Sequence, residues 1–428
     1  MIAELEVHLD WQGETVRLGT LWLRTAGRES ATFAYEPSWL ARRDRFAVDP
    51  ELPVGAGQFH TNRAIFNAFA DAAPDRWGQN LLRRQERQRA KAAGGPPRTL
   101  FAGDLLLGVD DVGRHGAFRF KTKESDAFLA ANQRPIPPIV ALAKLQSAAA
   151  RFVRNRETDS DLALLLGPGT SLGGARPKAT VMDRDGSLWL AKFSRADDDW
   201  PVIAWEATAL LLAARSGIDV AQSRLHVADK RMMLLLRRFD RRAGPDTSAP
   251  RAQRVAFCSA FTALGAAAGE QHSYLEILDF LRKDGAEPAR DAAELWRRMV
   301  FNVWISNTDD HLRNHGFLRS PTGWRLAPAY DLNPVPVDVR PRVHALALNA
   351  DDATASLDTL LAIAPRFGLK PAMVLQILTE VAAALAQWPL AAAAAGLKGR
   401  AVERMESAFE HEDAAVARRV VGGLAHFA

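Results

Sequence analysis

The chain contains one cysteine, Cys258, so no internal disulfide can form and a cysteine-rich zinc site is excluded. That residue lies in the apolar run "VAFCSAF", which predicts a buried, inert thiol. Long apolar runs are missing too. No segment offers the roughly 18 consecutive apolar residues of a membrane span, and the opening "MIAELEVHLDW" carries charge where a signal peptide has an uninterrupted apolar stretch. The expectation is a cytoplasmic protein with no membrane partner. Nor is there an internal repeat or a large excess of one charge. Lys plus Arg number 55 against 50 Asp plus Glu, a net +5, which permits an anionic partner without requiring one.

What is present is a chain of 428 residues, 48% of them hydrophobic, enough for a substantial core and roughly two or three domains. Residues 1 to 40 alternate in strand fashion in "AELEVHL", "ETVRLGTLWLR" and "ATFAYE", with Gly13 and Gly27 near the turns, predicting a small antiparallel sheet. Helical patterning follows, broken at Pro74; a basic helix then runs from Arg76 to Lys91 and stops at Gly94 and Gly95. "GAFRFK" reads as another strand, residues 124 to 160 as a connector with a helix, and "GPGTSLGGARPK" as a glycine and proline cluster. Next come "KATVMD", "SLWLAKF", "VIAWEATALLLAARSG", "SRLHVAD" and "RMMLLLRRF", an alternation of strands with a helix typical of a mixed lobe. After the loop "RRAGPDTSAP" the pattern is mainly helical, apart from a hairpin at 316 to 327, and the alanine-rich tail reads as packed helix.

The densest cluster of small polar groups is "NTDDHLRN", Asn307 to Asn314, directly after the apolar segment Leu295 to Ile305. That segment predicts a buried helix, so the polar cluster falls in a loop on a rigid scaffold. The hairpin beyond it returns "AYDLNP" towards the same loop, so Asp309 and Asp331 are expected to converge. An Asp, an Asn five residues on, a hairpin and a second Asp is the order used in phosphoryl-transfer sites of the protein-kinase type. Asp309 would orient or deprotonate the attacking hydroxyl. Asn314 and Asp331 would hold Mg²⁺, a hard cation that takes oxygen ligands. Read alone, the same residues serve as helix caps and turns. A metal-hydrolase cluster of Asp309, Asp310 and His311 would need further ligands at helical spacing, which the neighbourhood lacks.

Three upstream features belong to the same reading. Period-two alternation puts Leu188, Leu190 and Lys192 on one strand face, so a cation ends an apolar stripe. Glu206 has Val202, Ile203, Ala209 and Leu210 as helical neighbours, so its carboxylate points into an apolar face. Pairing the two avoids a cost of several kcal/mol, roughly, for burying either alone. The glycine-rich stretch ending at Lys178 offers backbone amides to phosphates, although Ala175 stands where a Walker A loop needs lysine.

Taken in order, "FADAAPDRWGQNLL", "DLLLGVDDVGRHGAFRF", "TSLGGARPKA", "LLLRRFDR", "NTDDHLRNHGF" and "LAPAYDL" resemble the HipA-type serine/threonine kinases of bacterial toxin-antitoxin modules, and the resemblance spans nearly the whole chain. It implies an α+β, protein-kinase-like two-lobed fold: an N-terminal subdomain over 1–124, a sheet-containing lobe with the phosphate loop over 125–238, and a helical lobe with the catalytic and metal-binding loops over 239–428. It implies ATP and Mg²⁺ as cofactors, Asp309 as catalytic base, and Asn314 and Asp331 as metal ligands. Lys192, positioned by Glu206, would contact the ATP phosphates. Gly173, Gly174, Ala175, Arg176, Pro177 and Lys178 would form the phosphate loop, His311 and Tyr330 would lie near the nucleotide, and Arg237, Arg238 and Phe239 would form the hinge beside adenine. The hinge opens with Arg237 where the family pattern has Glu. Ser171 matches the position of autophosphorylation, which ejects the loop and switches such kinases off.

The resemblance further implies a growth-inhibiting toxin of a type II system, a small helix-turn-helix antitoxin of HipB type, DNA contact only through that antitoxin, and a protein substrate such as an aminoacyl-tRNA synthetase. Two alternatives come from other classes: a small-molecule phosphotransferase built on the same Asp, Asn, Asp logic, and a catalytically silent corepressor partner of a DNA-binding antitoxin. The basic helix, with Arg83, Arg84, Arg87, Arg89 and Lys91 opposed only by Glu86, reads either as a solvated face or as a surface turned to nucleic acid in a complex.

Overall fold

A computed structural model describes residues 2–125, 127–128, 136–166, 174–229, 231–242 and 253–424. Chain contacts divide it into two compact units: Met1–Ala196, Ala228–Arg231 and Leu235–Gly265 form the first, and Asp197–Val227, Met232–Leu234 and Ala266–Ala428 the second.

The first unit opens with the expected sheet. Strands β1 (Ile2–Trp11), β2 (Glu14–Arg24), β3 (Ser30–Tyr35), β4 (Phe59–Thr61) and β5 (Phe118–Thr122) lie in the order β4-β3-β2-β1-β5, all neighbours antiparallel. Trp11 pairs with Glu14, so the β1–β2 turn has two residues, and both of them, Gln12 and Gly13, have positive φ (51° and 88°). A two-residue hairpin turn matches strand twist when both central residues are left-handed, the reason glycine suits the second place. Leu5, Val7 and Leu9 alternate inward on β1, and Phe33, Phe69, Phe118 and Phe120 fill one aromatic core beneath the sheet.

Helices Arg76–Ala92, Leu142–Val153 and Asp159–Leu166 follow, then β6 (Lys178–Met182) and β7 (Leu188–Phe193), antiparallel in register from Lys178↔Lys192 to Met182↔Leu188. Every residue of β7 is buried, so the expected one-sided stripe is a strand covered on both faces. Strands β8 (Ser223–Ala228) and β9 (Arg231–Arg237) come later in the chain, and each is divided between the two units. The loop "RRAGPDTSAP" lies mostly outside the described residues; its first described part, Arg241–Arg242, makes a short ladder with Gln253–Arg254.

The second unit is chiefly helical: Val202–Arg215, Tyr274–Asp284, Pro288–Trp304, Leu357–Ile363, Pro371–Leu385, Trp388–Ala394 and Glu412–Leu424, with the hairpin Gly316–Arg319/Trp324–Leu326 among them. The helix ahead of the polar loop starts at Pro288, where a proline at the first helical turn costs no hydrogen bond, and buries Leu295, Trp296, Met299 and Phe301. Trp205 packs beside Trp388, which stacks on Phe409 at 4.9 Å, and Trp296 Nε1 donates to Leu360 O at 3.1 Å. Among the described residues no single helix is long and apolar enough to cross a membrane.

Candidate functional site

In the first unit the strand register sets two cations side by side. Lys178 and Lys192 face each other across the β6–β7 pair, hence on one face of the sheet, and are 2% and 6% exposed. Like charges so placed repel, and Lys178 is compensated by Asp75 Oδ2 at 2.7 Å. Burial pushes the Asp75 carboxyl up from its ordinary value, opposed by the Lys178 charge. Lys178, the last residue of the expected phosphate loop and the first of the expected strand "KATVMD", opens β6. Its Nζ lies 3.4 Å from where a Cβ on Gly174 would sit, and Gly174, at φ +98°, adopts a backbone that L side chains rarely take. Ala175 is exposed, Arg176 half-buried and Pro177 buried, with Pro177 O accepting from Phe193 N at 3.0 Å. Ser171 and Gly173 lie outside the described residues.

The hinge candidates divide by role. Arg237 is exposed at the end of β9, and Phe239 is half-buried, its ring 6.2 Å from Phe257. Arg238 is buried and fully employed: Nε and Nη2 donate to Asp240 at 2.9 and 2.6 Å, Nη1 to Gly113 O at 2.6 Å, and its backbone N–H to Leu188 O at 2.9 Å. Sequence reasoning missed Asp240, which also receives Arg241 Nη1 at 2.7 Å and Gly116 N at 2.8 Å and faces His115 at 3.2 Å. Burial alone would raise its carboxyl, but Arg238 and Arg241 hold it well below the ordinary value. Its acidity directly after the hinge was the available signal.

In the second unit, two loops meet. The helix Pro288–Trp304 ends with Ser306 left-handed at φ 55°, Asn307 N donating to Asn302 O at 2.9 Å and Ser306 N to Val303 O at 3.4 Å. That pair of bonds closes a helix end and turns the chain sharply into "NTDDHLRN". Asn314 Nδ2 donates to Asp309 O at 3.2 Å, tying the ends of the motif together. Tyr330 OH donates to Arg313 O at 2.9 Å and Asn333 N to Asn307 Oδ1 at 3.4 Å, so the returning segment contacts this loop at both ends. Between those contacts Asp331 takes a left-handed backbone at φ 62°, unusual outside glycine and a form of strain that collects at functional sites.

Asp309 and its neighbour have opposite surroundings. The Asp309 carboxylate is 66% exposed and paired with Arg340 Nη1 at 3.0 Å, a partner sequence reasoning missed. His311 is exposed and Asn314 half-buried. Asp310 is buried, and its Oδ2 accepts from Tyr274 OH at 2.5 Å, Asn302 Nδ2 at 2.8 Å and His315 Nε2 at 2.8 Å. Burial would raise Asp310, but His315 and the Tyr274 hydroxyl bring it below its ordinary value. Asp310 therefore anchors the loop while Asp309 is presented to solvent. Glu206 is 1% exposed on the helix Val202–Arg215 of this unit, within the apolar face expected of it.

Comparison with known proteins gives this geometry a family. The model of the HipA-like C-terminal domain matches residues 170–388, and that of the HipA N-terminal domain matches residues 8–102. The chain belongs to the HipA-like family. It is 28% identical over 314 residues, 70% of this chain and 71% of the other, to Y4mE of Sinorhizobium fredii (strain NBRC 101917 / NGR234), a protein named as a candidate kinase. The HipA chain in a structure of the Shewanella oneidensis MR-1 toxin-antitoxin system HipA, HipB and operator DNA complex superposes with a TM-score of 0.66 at 18% identity, covering 98% of this chain and 97% of that one. The fold is thus the α+β, kinase-like fold expected, with antiparallel sheets and helices.

Proposed function

We propose that the chain is an ATP-dependent serine/threonine protein kinase acting as the toxin of a type II toxin-antitoxin system. The observation that carries this reading is the pinned meeting of the Asp309–Asn314 loop with the Tyr330–Asn333 segment. In the roles proposed, Asp309 takes the proton of an attacking hydroxyl, and Arg340 gives up the carboxylate as substrate arrives. Asn314 Nδ2 is engaged with Asp309 O, so its amide oxygen is the atom left to a hard cation, and Asp331 contributes a carboxylate beside it. Mg²⁺ bound there would neutralise phosphate charge; the chain's own part is to orient the hydroxyl and the phosphates.

Lys192, with Glu206 as its partner, is assigned to the ATP phosphates, residues 173–178 to the phosphate loop, the backbone around Arg237–Phe239 to adenine, and His311 and Tyr330 to the nucleotide. Because the Arg238 side chain and N–H are both employed, its contribution to adenine would come from its carbonyl. The domain divisions 1–124, 125–238 and 239–428 belong to the same proposal, as do Ser171 as the site of an autophosphorylation off-switch and a cytoplasmic location. A HipB-type antitoxin, and DNA through it, is supported by the composition of the Shewanella complex. An aminoacyl-tRNA synthetase is the proposed substrate.

The test incubates purified protein with Mg²⁺ and γ-labelled ATP beside Asp309→Gln, with phosphosites mapped by mass spectrometry. Incorporation at Ser171 in the wild type, falling by about 10²-fold or more in the variant, is expected. Absence of both ATP binding and incorporation in the wild type overturns the assignment.

A further inference from the structure

The basic helix Arg76–Ala92 carries several cations and a single acid. Glu86, its sole acid, is buried and accepts from Arg98 N at 3.2 Å and Arg98 Nε at 3.4 Å. Arg83, Arg84 and Arg87 recur at three- and four-residue intervals, which stacks three guanidiniums on one face and is unfavourable for like charges without a counter-ion. They line a cavity of about 270 Å³ in the first unit, together with Arg195, Ala175 and Pro177. None of the lining residues is acidic. Arg84 reaches outside that set to Glu157, donates from Nη2 to Asn155 Oδ1 at 2.5 Å, and lies 5.2 Å from the centre of the Phe152 ring. Arg83 donates to Gln79 Oε1 at 3.2 Å, and among the described residues neither Arg83 nor Arg87 has a carboxylate partner.

One guanidinium is thus fixed in place by a neutralising carboxylate, an amide and a ring, while two neighbours on the same face retain donors and charge. That combination, in a concave site, suits a small anion with several oxygens. The geometry points to a binding site for a diphosphate group, free or carried by a nucleotide, formed by Arg83, Arg84, Arg87 and Arg195. Its volume matches a diphosphate better than a whole nucleotide, so a carried base would remain outside. The site is separate from the proposed nucleotide residues in the helix it uses, yet its wall includes Ala175 and Pro177. The same helix is fastened to that stretch by Trp77 N to Gly174 O at 3.4 Å and Trp77 Nε1 to Lys178 O at 2.9 Å. An occupant would therefore touch the chain at the proposed phosphate loop, although the binding itself does not depend on the kinase reading.

The experiment is calorimetric titration of the full chain with inorganic pyrophosphate, without Mg²⁺, and in parallel with uridine diphosphate. Arg83→Ala with Arg87→Ala, both at exposed positions, is expected to weaken pyrophosphate binding by about tenfold or more. Arg89→Ala, an exposed arginine of the same helix outside this cavity, is expected to stay within about twofold. Tighter binding of uridine diphosphate than of pyrophosphate supports a nucleotide as carrier; equal binding supports the diphosphate alone. No pyrophosphate binding by the wild type overturns the site. Binding unchanged in the double variant but lost in Lys192→Ala also overturns it, because the anion then sits with Lys192.

Discussion

At the residue scale, adjacent acids in "TDDH" have been given different tasks by their surroundings. Asp310 is buried and has three donors on one oxygen, from Tyr274, Asn302 and His315, which its carboxylate satisfies together. Replacing it with Asn is isosteric but swaps a charged acceptor for a neutral amide facing donors. Breaking a buried, hydrogen-bonded charge in this way is expected to cost about 3 kcal/mol or more, read as a lowered midpoint in urea denaturation. Asp309→Asn, at an exposed position whose carboxylate is paired, among the described residues, with Arg340, should move the midpoint by less than about 1 kcal/mol in the same assay. The two acids are indistinguishable in the sequence beyond their order. What separates them is the set of donors from Tyr274, Asn302 and His315, which depends on tertiary packing and has no local signal. The buried positions of Lys192 and Glu206, by contrast, were readable, because each interrupts an apolar face of known period.

At the scale of elements, the N-terminus of the helix Arg76–Ala92 joins local and long-range structure through one side chain. Asp75 caps the helix through Oδ1 to Gly78 N at 2.9 Å and, through Oδ2, balances Lys178 at the start of β6. The two functions separate on substitution. Asp75→Asn keeps an equally good cap but leaves Lys178 buried without its carboxylate, an expected loss of about 3 kcal/mol. Asp75→Ala removes the cap as well and should lose about 1 kcal/mol more. Equal losses for the two variants, measured by urea denaturation, would show that the cap contributes nothing. Strands β1 to β3 were legible from alternation and turn glycines, and the helix from its break at Pro74. Lys178 was legible as the first residue of the strand "KATVMD", and β6 begins there. Its pairing opposite Lys192 is non-local and had no signal of its own in the sequence.

For the molecule as a whole, buried ionisable groups set how stability responds to acid. The His344 ring is buried, and among the described residues neither of its nitrogens has a hydrogen-bond partner; burial pushes it down to about 4, against the opposing pull of Asp310. His115 is lowered by burial as well, despite Asp240 beside it. In the unfolded chain both take up a proton near the ordinary histidine value of about 6.5. Their contribution is therefore complete above that value and is lost as pH falls towards the folded value, because the unfolded state then binds more protons. For His344 the window runs from about 6.5 to about 4, and the loss reaches about 3 kcal/mol at about 1.4 kcal/mol for each pH unit. Asp310 and Asp240, both held below their ordinary values, extend the loss below about pH 4 as they are protonated. Asp49 and Asp110, raised by burial, act in the opposite sense and flatten the curve. The His344 part can be isolated in His344→Gln, a neutral side chain at both ends of the window. Denaturation midpoints followed from pH 7 to pH 4 should fall less steeply in the variant than in the wild type, whatever its stability at pH 7. Parallel slopes would mean that His344 protonates equally in the folded and unfolded chain, and that acid sensitivity in this range rests on His115 and the remaining histidines.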